Sequence, residues 1–121
     1  MPVHKVLVVD DSKTELMVLT EMLEKNGMSV KTAENAEEAF RRLAQEKPDL
    51  ILMDVVMPGK NGFQVTRAIS RDPQYADVPI IMCTSKTQET DRVWGMRQGA
   101  RDYITKPVDA SELMAKIKAL S

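Results

Sequence analysis

The sequence predicts an α/β fold, a doubly wound, five-stranded parallel sheet with five flanking helices. Several short apolar runs are continuous rather than alternating, amphipathic stretches separate these runs, and helix-start and helix-stop residues bound the amphipathic stretches. Strands that are apolar on both faces are typical of parallel sheets buried between two helical layers. The 121 residues suit one domain, so we expect a single domain over residues 1–121 with a core over about 5–120.

Five segments are candidate strands. Residues 6–9, 50–53 and 78–82 form continuous apolar runs, whereas residues 29–33 and 102–105 are weaker candidates. Runs of four to five residues are too short for helices and fit buried strands. The chain therefore predicts five strands at roughly regular intervals.

Helical periodicity fills the intervals between these strands. Apolar side chains recur at spacings of three, four and seven, which places them on one face of a helix. The residues on these predicted inner faces are Leu16, Leu19, Leu23, Ala36, Ala39, Phe40, Leu43, Val65, Ile69, Leu113, Ile117 and Leu120. A less regular segment, 87–98, completes the set as the fourth helix.

Cap residues support these helix assignments. Ser12, Asn35 and Asp109 each stand three residues before a glutamate, the spacing of an N-cap or capping box. Gly27 and Gly99 stand where helices should end, because glycine adopts the left-handed conformation without penalty. Strands and helices thus alternate five times, which implies right-handed crossovers and a ligand site at the carboxyl ends of the strands.

Composition excludes several classes of function. The 17 basic and 18 acidic residues give a net charge of -1, so direct binding to nucleic acid is not expected. The single cysteine, Cys83, and the single histidine, His4, exclude a disulfide framework and zinc sites built from these residues. No apolar run approaches the roughly 20 residues of a membrane span, and no secretory signal is visible. We therefore expect a cytoplasmic protein without membrane insertion.

Acidic residues follow two of the predicted strands. Asp10 and Asp11 come after the first strand, and Asp54 comes after the third. If these strands are neighbours, three carboxylates converge, and their mutual repulsion favours a bound cation. Ligands that are all oxygens suit Mg²⁺, or Mn²⁺ as a substitute, better than zinc. Taken singly, Asp10 or Asp11 could be a helix cap, and Asp54 an ordinary loop residue.

A hydroxyl and an amine follow the last two strands. Thr84 follows the fourth strand and can donate a hydrogen bond, while Lys106 follows the fifth and supplies a positive charge for a phosphoryl oxygen. Each alone is typical of an ordinary surface residue, but together with the acids they indicate a phosphoryl-transfer site.

With these residues identified, the chain resembles the receiver domain of two-component response regulators from about residue 5 to residue 120. The resemblance rests on VVDDS at 8–12, MDVVMP at 53–58 before Gly62, TS at 84–85 and YITKP at 103–107. Among the subfamilies, the stretch 90–100 is similar to chemotaxis-type regulators, in particular those of type IV pilus twitching motility. The resemblance also implies the strand order 2-1-3-4-5.

The resemblance implies a role for each residue of the acidic site. Asp54 matches the phosphoacceptor, which takes its phosphoryl group from a histidine kinase or a phosphotransfer domain. Asp10, Asp11, Asp54 and the backbone carbonyl of Val56 match the ligands of Mg²⁺. The protein would be no enzyme in the usual sense, because it would catalyse only its own phosphorylation and dephosphorylation.

The resemblance also implies a switch. Lys106 neutralises charge at the phosphoryl group, Thr84 is the switch hydroxyl, Tyr103 is the switch aromatic, and the 106–107 peptide bond before Pro107 is cis. Phosphorylation would then remodel a face that binds a downstream motility protein, with the chain a monomer. The candidate residues of this partner face are Lys86, Trp94, Arg97 and Tyr103. Trp94 could instead be a half-buried packing residue of the fourth helix.

Three alternatives remain open. The protein could be a phosphate sink or shuttle for a shared kinase, without an effector of its own. A metal-dependent aspartyl phosphatase would need a second acid two positions after its nucleophile, where this chain has Val56. A flavodoxin-like cofactor binder would place a hydroxyl-rich phosphate loop after the first strand, where this chain has Asp10 and Asp11.

Overall fold

The computed structural model describes residues 3–85 and 88–120, and over these residues five strands alternate with five α-helices. The strands are β1 (Lys5–Val9), β2 (Ser29–Ala33), β3 (Leu50–Met53), β4 (Ile80–Thr84) and β5 (Asp102–Thr105). The helices are α1 (Lys13–Lys25), α2 (Ala36–Gln45), α3 (Gly62–Arg71), α4 (Glu89–Gln98) and α5 (Ala110–Ala119). All neighbouring strands are parallel, in the order β2-β1-β3-β4-β5, which confirms the predicted fold.

The fourth strand begins later than predicted. It starts at Ile80 rather than at Val78, because the amide of Val78 bonds to the carbonyl of Tyr75 in a turn, 3.0 Å away. Pro79 follows and has no amide hydrogen to give to the sheet. The strand then runs on to Thr84, which brings that hydroxyl-bearing residue into the sheet itself.

Alternate residues of β1 and β3 enter two separate cores, and Met82 of β4 and Tyr103 of β5 belong to a third, smaller cluster. On one face, Leu7 and Val9 of β1 pack in the cluster that holds residues of α2 and α3. On the other face, Val6 and Val8 pack in the cluster that holds residues of α1 and α5. This division follows from the two-residue period of a strand and buries both faces of the sheet.

Three helices begin at the predicted caps. The side chains of Ser12, Asn35 and Asp109 accept bonds from the amides three residues on, at 3.3, 2.8 and 3.1 Å. A fourth cap, not predicted above, lies at α3, where Asn61 and Gln64 form a reciprocal capping box. The spacing N-x-x-Q was the signal that identifies this box.

One prediction on the helices is wrong. Phe40 was expected on the inner face of α2, but the residue is 36% exposed, because Ala39 and Leu43 fill that face. The fourth helix runs from Glu89 with Gln88 as its N-cap, and residue 87, where the predicted segment starts, lies outside the described residues. Of the α4 residues, all of which the structure describes, only Gly95 is buried, so this helix has no continuous apolar stripe.

No helix in the described part of the chain combines the length and the apolar character needed to cross a lipid bilayer.

Candidate functional site

The backbones of three predicted site residues are held by the sheet. The amide of Asp10 donates to the carbonyl of Ala33 at 3.0 Å, and the amide of Asp54 donates to that of Val9 at 2.9 Å. The amide of Lys106 donates to the carbonyl of Thr84 at 2.9 Å. Each residue therefore extends the hydrogen-bond ladder by one bond beyond its strand. The side chains consequently start from a rigid edge rather than from a free loop.

The three aspartates form one cluster at this edge. Asp10, Asp11 and Asp54 each offer a carboxylate oxygen, and these oxygens lie within 4.8 Å of one another. Asp10 is 2% exposed and Asp54 is 5% exposed, whereas Asp11 faces solvent. A set of hard oxygen ligands with one side open to water suits a divalent cation such as Mg²⁺, which retains several of its waters. The residues present therefore fit such an ion.

Lys106 joins two of these acids. Its Nζ lies 2.6 Å from Oδ2 of Asp10 and 3.5 Å from Oδ1 of Asp54. The second oxygen of Asp10, Oδ1, accepts a hydrogen bond from the amide of Ser12 at 2.9 Å. Asp10 is thus oriented from two sides. The peptide bond between Lys106 and Pro107 is cis.

The surroundings of Asp54 and Lys106 raise the pKa values of both residues. Burial raises the pKa of Asp54, and the charge of Asp10 raises it further, against the opposing effect of Lys106. Burial by itself would lower the pKa of Lys106. The hydrogen bond to Asp10 and the charges of both acids outweigh burial, so the pKa of Lys106 is raised and the amine stays cationic. The side chains of the site thus crowd negative charge that one lysine balances only in part.

The two predicted switch residues lie on β4 and β5, the strands that follow β3 in the sheet. Thr84 is fully buried at the end of β4. Tyr103 of β5 is 8% exposed and packs with Val55, Met82 and the partly buried Phe63. Burial raises the pKa of Tyr103 to about 12, and the charges of two acids add to this effect.

Only some of the residues predicted for the partner face are exposed to solvent. Tyr103 was placed on it, but its ring is buried between β4 and α4 in this conformation and presents little area to a partner. Trp94 is 48% exposed and, with exposed Arg97, lines a shallow depression of about 250 Å³ on α4. Lys86 lies outside the described residues.

A glycine outside the predicted site proves necessary for its geometry. A Cβ at Gly62 would collide with the backbone carbonyl of Asp54, and its amide donates to the carbonyl of Val55 at 2.8 Å. This contact closes the loop from β3 to α3 tightly over the residues that follow Asp54. In the sequence Gly62 is only the end of a motif, and a glycine has no side chain from which a close contact could be predicted.

Comparisons with known proteins agree with this geometry. The family model described as response regulator receiver domain matches residues 6–118. Protein PilH of Pseudomonas aeruginosa is 54% identical over 116 residues, 96% of each chain. The phosphate regulon regulator PhoB of the same organism is 40% identical over 115 residues, which are 95% of this chain and half of PhoB.

The architecture is also that of solved structures. The chemotaxis protein CheY4 of Vibrio cholerae has a TM-score of 0.91 at 30% identity, covering 98% of this chain and 99% of its own. A protein described as a putative response regulator of Chloroflexus aurantiacus has a TM-score of 0.92 at 31% identity, covering 99% of this chain and 98% of its own.

Proposed function

The chain belongs to the response regulator receiver family and is the receiver domain of a two-component regulator. On this basis we propose that Asp54 accepts the phosphoryl group. The observation that carries this proposal is the position of its carboxylate, buried at the sheet edge, 3.5 Å from a lysine amine and beside two further acids. Neither the lysine nor the acids alone would distinguish Asp54 from other buried carboxylates. Their combination supplies a nucleophile, a cation and a metal-binding set in one place.

The proposed donor is a phosphohistidine of a histidine kinase or phosphotransfer protein, the partners of receiver domains. An oxygen of Asp54 attacks the phosphorus, and the bond between phosphorus and the imidazole nitrogen breaks. The bonding electrons return to the imidazole, and an aspartyl phosphate forms. Lys106 already lies between Asp10 and Asp54 and is placed to meet a phosphoryl oxygen on Asp54.

Asp10, Asp11 and Asp54 would hold Mg²⁺, with the backbone carbonyl of Val56 as a further ligand and Mn²⁺ as a substitute. The bound ion would supply positive charge to the phosphoryl oxygens and remove the repulsion among the acids. Pre-positioned charge of this kind acts where charge develops in the transition state. We also propose that the only phosphate the protein turns over is its own.

The switch follows from the positions of Thr84 and Tyr103. We infer that the hydroxyl of Thr84 bonds to a phosphoryl oxygen on Asp54 and that Tyr103 adjusts its packing in response. Tyr103 lies against Gly95, since a Cβ on that glycine would come 3.6 Å from Cδ2 of Tyr103. A change at Tyr103 therefore reaches α4 directly, and with it Trp94 and Arg97 of the candidate partner face.

We propose that this face regulates a motility protein, in type IV pilus twitching. The 54% identity to PilH over nearly the whole of both chains supports the assignment. We propose that the protein acts in the cytoplasm as a monomer, and its nearly neutral charge argues against direct contact with nucleic acid.

Mass spectrometry tests the phosphoacceptor. The protein is incubated with acetyl phosphate and Mg²⁺, and the intact mass is compared among wild type, Asp54→Asn and Asp77→Asn. Asp77 is exposed and pairs with Lys47 at 2.9 Å, away from the acidic cluster. We expect one added phosphoryl group in wild type and Asp77→Asn, none in Asp54→Asn, and none without Mg²⁺. Undiminished labelling of Asp54→Asn would contradict the proposal.

A further inference from the structure

The contact between α3 and α4 is built from small residues. Gly95 of α4 and Gly99, the residue that caps the C-terminus of α4, both lie close to neighbouring elements. A Cβ on Gly95 would come 2.7 Å from Sδ of Met82 and 3.4 Å from Cε1 of Phe63. A Cβ on Gly99 would collide with the side chain of Ser70. The backbone of α4 therefore lies directly on β4 and α3, without interlocking side chains of its own at these two positions.

Thr66 lies inside this contact. Phe63, Thr66 and Ser70 stand at positions i, i+3 and i+7 of α3, which share one face of the helix. Phe63 meets α4 at Gly95 and Ser70 meets it at Gly99, so Thr66 stands between the two contacts. Its side chain is fully buried.

The buried hydroxyl of Thr66 has no hydrogen-bond partner, unlike other buried polar side-chain atoms in the part of the chain that the structure describes. An unpaired buried hydroxyl costs free energy that a methyl group of the same shape would not. The present position of α4 is therefore less stable than the packing around it would otherwise allow.

We propose that Thr66 is a positioning residue of the switch. Its hydroxyl disfavours the present position of α4 and gains a hydrogen-bond partner when α4 shifts. The inference rests on the proposed function, since phosphorylation of Asp54 is what would drive the shift. Sliding of packed helices over a short distance is a common form of switching. The glycines at the contact permit such sliding, because Gly95 and Gly99 have no side chains that interlock with the neighbouring elements.

The bias works by population. A hydroxyl that lacks a hydrogen bond in one state and has one in the other favours the second state. The size of this preference is the difference in the hydroxyl's free energy between the two states. Removing the hydroxyl should therefore stabilise the resting state and make the activated state harder to reach. A purely structural role for Thr66 predicts equal effects on both states.

Urea denaturation of three proteins tests the inference, each with and without Mg²⁺ and beryllofluoride as the phosphoryl analogue. Thr66→Val keeps the shape and removes the hydroxyl, and Thr66→Ser keeps the hydroxyl. Trp94, the only tryptophan of the chain, reports on α4 by its fluorescence. We expect Thr66→Val to raise the urea midpoint without the analogue and to bind the analogue about five- to tenfold more weakly, the equivalent of one hydrogen bond. Thr66→Ser should bind it as wild type does.

Two results would overturn the inference. One is a Thr66→Val protein that binds beryllofluoride as tightly as wild type, and the other is a lower urea midpoint in the resting state. Failure of the proposed function is distinct, because wild type itself would then show no stabilisation by beryllofluoride. In that case the inference falls with the function on which it rests.

Discussion

Lys106 has a double task at the scale of single residues. It balances two buried acids in the resting protein, through contacts of 2.6 and 3.5 Å, and it is the proposed cation for the incoming phosphoryl group. These tasks conflict, because the amine of Lys106 and a divalent cation compete for the same acids. The closest contact is to Asp10 rather than to Asp54. Asp54, the proposed nucleophile, thus has the longer of the two ion pairs.

Replacement of Lys106 by methionine separates these tasks. Without the cation, Asp10 and Asp54 face each other uncompensated, and we expect the metal-free protein to lose on the order of 2–4 kcal/mol of unfolding free energy. Mg²⁺ should bind more tightly, because the site gains net negative charge, while phosphorylation by acetyl phosphate slows by at least tenfold.

Calorimetric titration of Mg²⁺ and urea denaturation measure the two effects of Lys106→Met. Lys47→Met serves as the control, since Lys47 forms an exposed ion pair with Asp77 and should contribute less than about 1 kcal/mol. Weaker Mg²⁺ binding in Lys106→Met would mean that the lysine organises the acids rather than competing for them.

At the scale of elements, the loop from β3 to α3 shows how packing determines one residue. Gly62 and Gly59 belong to the same connection but meet different constraints. A Cβ on Gly62 would strike the carbonyl of Asp54, whereas a Cβ on Gly59 would meet nothing within 4 Å. Gly59 is required instead by its backbone φ of 76°.

Alanine at these two positions should therefore have different consequences. Gly62→Ala must displace the backbone that carries Asp54, and we expect a loss of about 3 kcal/mol in unfolding free energy together with weaker Mg²⁺ binding. Gly59→Ala should cost only about 1–2 kcal/mol, through its left-handed conformation, and leave Mg²⁺ affinity within twofold of wild type. Equal Mg²⁺ affinities in Gly62→Ala and wild type would show that the loop does not position the metal ligands.

Elements bounded by turn and cap residues were predictable even where the apolar run itself was weak, and features defined by tertiary contacts were not. The runs 29–33, 50–53 and 102–105 match β2, β3 and β5 to the residue, because turns and helix caps bound them closely. Phe40 has the spacing of an inner-face residue, but periodicity does not state how wide that face is. In α4 the only buried residue is Gly95, and a glycine inside a helix usually indicates a weak helix rather than a close contact.

At the scale of the molecule, the site exists only through topology. Asp10 and Lys106 are 96 positions apart in the chain and 2.6 Å apart in space. The strand order puts β1 and β3 side by side and leaves β4 and β5 next in line, so four strand ends meet at one edge. The identities of these residues could be predicted from the strand ends, whereas the pairing of Lys106 with Asp10 rather than with Asp54 could not.

The whole-molecule hypothesis is a path from Asp54 through Tyr103 and Gly95 to the exposed side of α4. Trp94→Ala tests its outer end. Because Trp94 is 48% exposed, we expect the variant to fold and to accept phosphate from acetyl phosphate at the wild-type rate. Binding of the phosphorylated form to a motility partner should weaken at least tenfold, the effect of losing an interface tryptophan. Phe40→Ala, on α2, is the matched control for an exposed aromatic residue.

Complementation of twitching motility in cells that lack this protein distinguishes an effector from a phosphate sink. An effector that acts through α4 predicts that Asp54→Asn and Trp94→Ala both fail to restore twitching, while Phe40→Ala restores it. A phosphate sink needs phosphoryl transfer but no partner face, so Trp94→Ala would restore twitching and Asp54→Asn would not. Restoration by Trp94→Ala would therefore remove the partner face from the proposal and leave the chemistry of Asp54 intact, because a sink drains the kinase through that chemistry alone.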